Sequence, residues 1–173
     1  KAVQEVSPVP VRFDEISSGA KGYYSNTEKE IVIQNGMSES QTMKTGIHEV
    51  THAMLHDRDF MEEQGEKKNQ MTKEVEAESV AYTVCQYFGL DTSDYSFPYI
   101  AGWSSSMDMK ELRTSMDTIR KTAGSFIDSM TEVIQRFMRE QPELSLSAMK
   151  QAEILIDRVE QERTLFSGEE RNL

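Results

Sequence analysis

Apolar positions recur along this chain at two periods. From Met107 to about Met138 they fall at Leu112, Met116, Ile119, Ala123, Phe126, Met130, Val133 and Phe137, alternately four and three apart. That spacing keeps the apolar side chains on one face and predicts a long amphipathic helix, broken by Pro142. A second stripe, Met149, Ala152, Leu155 and Val159, predicts a further helix over about 145–162. The two are expected to pack as an antiparallel pair. Towards the other end the runs are short and β-prone. A short strand is expected near Val11–Phe13 in an otherwise irregular lead-in, and GYYS and KEIVIQ flank the polar Asn26 and Thr27 as a hairpin or as adjacent strands. Ser38 followed by Gln41 resembles a capping box and opens a helix to about His56. Gly46 lies inside that helix, where it costs roughly 1 kcal/mol relative to Ala, and reads as a site of close packing. A charged loop over Asp57–Gln70 leads to a second helix over about Thr72–Phe88, with Gly89 placed as its stop. Asp91–Pro98 reads as loop and Tyr99–Ser104 as a short helix. The fold class is therefore α+β. Residues 1–106 form a small core of short sheet and two helices, and residues 107–173 form a helical extension packed on or beside it.

Composition narrows the setting. The chain has 173 residues and a formal charge of −11, which suits one compact domain with an extension. Phosphate contacts need clustered Lys and Arg, so the acidic balance argues against direct nucleic-acid binding by this segment. No apolar run approaches the roughly 18–20 residues of a membrane span. The N-terminus shows no basic-then-apolar leader and no starting Met, which reads as a fragment of a longer protein. A single cysteine, Cys85, excludes an internal disulfide and favours a cytoplasmic setting; it is read as a core residue.

The chemistry concentrates in IHEVTHAMLH, which contains HEVTH, a match to HExxH. On a helix, His48 and His52 lie about 40° apart around the axis and about 6 Å along it, so both imidazoles can reach one ion. Zinc takes two such nitrogens, one more protein ligand and a water. Glu49 adjoins the first ligand and can act as general base towards the water. His56 lies about 12 Å along the axis from His48, too far to share its ion, and is read as packing or outer support. The third ligand is then a carboxylate from KEVEAES. On a helical wheel Glu74 and Glu76 flank opposite edges of the apolar stripe, whereas Glu78 points further towards solvent, so geometry excludes neither Glu74 nor Glu76.

Together, HEVTHAMLH and EAESVA resemble the ImmA/IrrE-like zincin metallopeptidases, whose pattern is HExxH, a further His, then Glu-Ala-Asn-x-Phe-Ala. Carried over by position, the family's third ligand falls on Glu76. The Asn becomes Glu78 and the Phe becomes Val80. A closer resemblance is to the C-terminal metallopeptidase domain of ArdC-like antirestriction proteins of mobile elements. It extends to GAKGYYSNTEKEIVI and YIAGW and covers roughly residues 8–138. The resemblance implies a gluzincin-type zinc peptidase acting on a protein or peptide inside a bacterial cell. It also implies an upstream single-stranded-DNA-binding domain in the full protein. Tyr23, Tyr24 and Ile31–Ile33 are candidates for a wall that binds peptide by strand addition. Tyr99, Tyr95 and Tyr24 are candidate oxyanion donors. Two other readings compete: a non-catalytic module that keeps zinc for stability, and an acidic mimic of DNA.

Overall fold

The computed structural model describes residues 1–90 and 109–140. Among them a three-stranded sheet and several helices make a mixed α+β fold. The sheet is built from β1 (Val11–Asp14), β2 (Gly22–Ser25) and β3 (Glu30–Gln34), in the order β1-β3-β2. The expected hairpin is there: β2 runs antiparallel to β3, with Tyr24 opposite Ile31. β1 joins the other side of β3 in parallel, with Val11 opposite the same Ile31. β3 is thus the central strand. Its Ile31, Val32 and Ile33 are all buried, which explains an unbroken apolar run where a half-exposed strand would alternate. Buried in this way, Ile31–Ile33 cannot form the expected peptide-binding wall. Of the expected residues, Tyr23 and Tyr24 lie on β2, an edge strand that borders the histidine cluster. The turn between β2 and β3 holds Lys29 at φ 50°, a left-handed conformation that costs a side chain roughly 1–2 kcal/mol. The Lys29 ammonium is anchored there by Asp57 at 2.5 Å and Asp59 at 2.7 Å.

The described residues also form five helices, of which α2 packs on the sheet: α1 (Ala2–Val6), α2 (Glu39–Leu55), α3 (Arg58–Glu63), α4 (Gln70–Tyr87) and α5 (Met109–Glu140). Ser38 caps α2 by accepting the Gln41 backbone N–H. Only half of the expected box forms, because the Gln41 amide donates to Thr45 and its carbonyl accepts from Lys21. Gly46 sits where a Cβ would lie 3.1 Å from Val3 and 3.4 Å from Ile33, so α1, α2 and β3 meet closely at this point. α1 and α3 are absent from the sequence reading. α3 starts on Asp57, whose carboxylate accepts the backbone N–H groups of Asp59 and Phe60, a cap set within a stretch read as loop. Gly89, two residues past the last residue of α4, takes φ 75° as expected of a stop.

The core joins Ile31 and Ile33 with Ile47 and Val50 of α2, Val80, Val84 and Cys85 of α4, and Ala123, Phe126 and Met130 of α5. Burial pushes the Cys85 thiol up to about 11. α4 is buried on nearly all sides, from Val75 through Ala81 without interruption. The chain divides into two compact units, Lys1–Val133 and Ile134–Leu173, so most of α5 belongs with the sheet and α1–α4. The helices expected over Tyr99–Ser104 and 145–162 lie outside the described residues. No described helix is long and apolar enough to cross a membrane.

Candidate metal centre

Helix α2 carries Lys44, His48, His52 and His56 at strict four-residue intervals, so their side chains form one polar row along its face towards α4. From α4, Glu74 and Glu78, also four apart, meet that row. His48 Nε2 lies 3.1 Å from His52 Nε2, and Glu74 Oε2 lies 3.4 Å and 3.6 Å from these two nitrogens. Four-coordinate zinc, with bonds of about 2.0–2.2 Å at tetrahedral angles, sets its ligand atoms about 3.3–3.5 Å apart. His48, His52 and Glu74 therefore fit the edges of such a site, and they are the group among the described residues able to hold a metal ion.

The expected third ligand, Glu76, is not in this group. Two residues along a helix is a turn of about 200°, so Glu76 faces away from Glu74. Its carboxylate is fully buried and lies 2.9 Å from both His56 Nε2 and Lys68 Nζ, near Ser115 of α5. Burial alone would raise its pKa, but His56, Ser115 and Lys68 together hold it below the usual carboxylate range. Glu78 is likewise not turned to solvent. It is buried, with one oxygen 2.5 Å from Lys44 Nζ and the other 3.3 Å from His48 Nδ1.

Each histidine of the cluster is thus held from behind. His52 Nδ1 lies 3.0 Å from His56 Nδ1. If His52 Nε2 is to be a ligand it must be unprotonated, so Nδ1 carries the hydrogen and donates to His56 Nδ1. His56 then carries its own hydrogen on Nε2 and donates to Glu76. This tautomer requires a neutral His56, and burial does lower the His56 pKa. His48 has the simpler arrangement, with Nδ1 facing Glu78. Such partners fix ring orientation and raise ligand basicity. His56 thus contacts His52 and Glu76 and stands outside the group of His48, His52 and Glu74. We expect His56→Ala to weaken zinc binding about 10–100-fold, measured by chelator competition, with His48 and His52 still bound. An unchanged affinity would show that the contact does not orient His52.

Electrostatics favour a cation here. Burial works against a charged His48, yet Glu74 and Glu78 outweigh it and raise its pKa to about 9. His48 and His52 in turn hold Glu74 well below the usual carboxylate range. Glu49 is buried, and desolvation raises its pKa despite both histidines. The Tyr24 backbone N–H on β2 faces the Glu49 carboxylate and weakly opposes that rise. Clefts of about 540 Å³ and 310 Å³ open on either side, and both are lined by Gly22, His48, Glu49 and Glu74. Gly22 is where β2 touches α2: a Cβ there would meet Thr45 at 2.6 Å and Glu49 at 3.3 Å. Tyr24 lines the second cleft, but its hydroxyl donates to Asp57 at 2.5 Å, and burial with that bond pushes its pKa up to about 12. A phenol so committed is a poor oxyanion donor. Tyr99 and Tyr95 lie outside the described residues. Sequence reading missed Lys44, Lys68 and Gly22, and turned Glu78 towards solvent. The four-residue row from Lys44 to His56 was the signal available for the first of these.

No family model matches this chain, and no solved structure matches it. It is similar to an uncharacterized protein of Bacillus anthracis designated pXO2-81, with 35% identity over 112 residues, 64% of this chain and 18% of that protein. The chain spans less than a fifth of that relative's length.

Proposed function

We propose that the chain is a zinc-dependent hydrolase of the gluzincin type that cleaves peptide bonds. The observation that carries this reading is the meeting of His48, His52 and Glu74 at tetrahedral-edge spacing beside a buried Glu49. A purely structural zinc has no use for a general base or for clefts opening on both sides of it. When bound, zinc supplies Lewis acidity, which polarises a carbonyl and brings the pKa of water towards about 7. Glu49 accepts a proton from the attacking water as its oxygen adds to the peptide carbonyl carbon. It then delivers that proton to the nitrogen as the C–N bond breaks. β2 runs beside the base as well as walling the cleft, since Gly22, Tyr23 and Tyr24 line it together with Glu49.

The resemblance to ArdC-like antirestriction proteins adds a setting: a bacterial cytoplasmic enzyme linked to a mobile element and selective for one protein target. The test is elemental analysis together with a peptide-library cleavage assay. One zinc per chain is expected, with cleavage that a chelator abolishes and zinc restores. Cleavage indifferent to chelation would refute the reading.

A further inference from the structure

We infer that the cleft beyond Tyr24 selects a peptide segment rich in Asp and Glu; this rests on the peptidase reading above. The smaller cleft leaves the histidine cluster past Tyr23 and Tyr24 and reaches Asn26, His56 and Lys73. An adjoining cavity of about 400 Å³ shares those last three residues and opens between Arg58, Lys67 and Lys68. Four cations therefore line this arm against Glu62 and Glu66, in a chain whose formal charge is −11. Lys68 is engaged by Glu76 and Glu66, and Arg58 lies 4.0 Å from Asp59. The side chains of Lys67 and Lys73 have no hydrogen bond or ion pair among the described residues. Lys73 lines the same cleft as His48 and His52, so one uncommitted ammonium borders the cleft that holds the cluster.

The opposite arm has a different balance. Its cations are Lys21, which donates to Gln41, and Lys44, which is paired with Glu78, whereas Glu49 and Glu74 border both clefts alike. Acidic side chains of a bound peptide gain partners on one side of the cluster only.

The cationic arm is also built in advance. Asn26 accepts the Arg58 backbone N–H at 2.7 Å, and Asp57 is held by both Tyr24 and Lys29. These bonds fix the start of α3 to the β2–β3 turn, so little ordering remains to be done on binding. Two uncommitted lysines can serve two or three carboxylates. They are too few to hold a phosphate backbone against the surrounding negative charge.

The test is fluorescence anisotropy on the zinc-loaded 173-residue chain carrying Glu49→Gln, so that probes stay intact. The probes are one labelled peptide with Asp and Glu on one side of a central apolar residue, its Asn/Gln and Lys/Arg counterparts, and a ten-nucleotide single strand of DNA. The acidic peptide should bind about tenfold tighter than its amide counterpart, the size expected of two or three partly exposed ion pairs, and the margin should shrink with salt. Adding Lys67→Glu with Lys73→Glu should erase that preference, and Lys121→Glu on exposed α5 surface should not. Equal binding of the acidic and amide peptides overturns the inference, as does tighter binding of the DNA strand. Acidic preference without cleavage of any peptide by the wild-type chain would leave this cleft standing and remove the peptidase reading. Cleavage without acidic preference would do the reverse.

Discussion

Glu74→Gln is expected to strip the centre of zinc, while Glu76→Gln keeps it. The two substitutions are chemically identical and two residues apart, so the contrast isolates position. At 74 the change removes the charged oxygen that lies 3.4–3.6 Å from both histidine nitrogens. Zinc affinity should fall by more than about 100-fold, beyond the usual range for partners lying behind the ligands. At 76 the amide oxygen can still accept from His56 Nε2, so the ring stays oriented and the loss should stay within about tenfold. Lys68 then faces a neutral oxygen where a buried charge stood, and the cost should appear in stability, about 1–3 kcal/mol in urea unfolding. Zinc content by elemental analysis, with chelator titration, reads both variants. Zinc retained at Glu74→Gln and lost at Glu76→Gln would return the third ligand to Glu76.

The second large effect is catalytic. Glu49→Gln should lower peptide cleavage by about 10²–10⁴-fold at unchanged zinc content. The amide fills nearly the same buried volume, so fold and cleft should persist. What it lacks is a site for the water's proton. Full activity in this variant would place the base elsewhere.

The β2–β3 hairpin, α2 with its Ser38 cap and α4 with its Gly89 stop were legible because each rests on local patterns: β-branched runs, a side-chain cap, a glycine at positive φ. The parallel pairing of β1 was not legible, because Val11 finds Ile31 across twenty residues and nothing local records it. α3 was hidden by brevity: six residues carry too few apolar positions to show a period, and only the Asp57 cap marks its start. The carboxylates of α4 failed for another reason. A helical wheel assigns directions by contrast between a wet face and a dry one. With Val75 through Ala81 buried in succession, α4 offers no such contrast, so Glu74 could not be separated from Glu76, and Glu78 was misdirected to solvent. Only the position of α2 across from α4 distinguishes them. His48 and His52 escaped this difficulty because their own spacing, without any neighbour, brings them together.

Cys85 offers a way to watch all of this without a substrate. It is the single cysteine, fully buried between α2, α4 and α5, with its thiol pushed up to about 11. Only the thiolate reacts, so an alkylating reagent must wait until the core opens. Each opening then leaves one permanent mass tag per chain. A metal that binds only the closed form lowers the open population by a factor of 1 + [L]/Kd. The rate of tagging against free zinc is therefore a binding isotherm, written by the protein's own breathing. It can be recorded for catalytically dead chains as readily as for live ones.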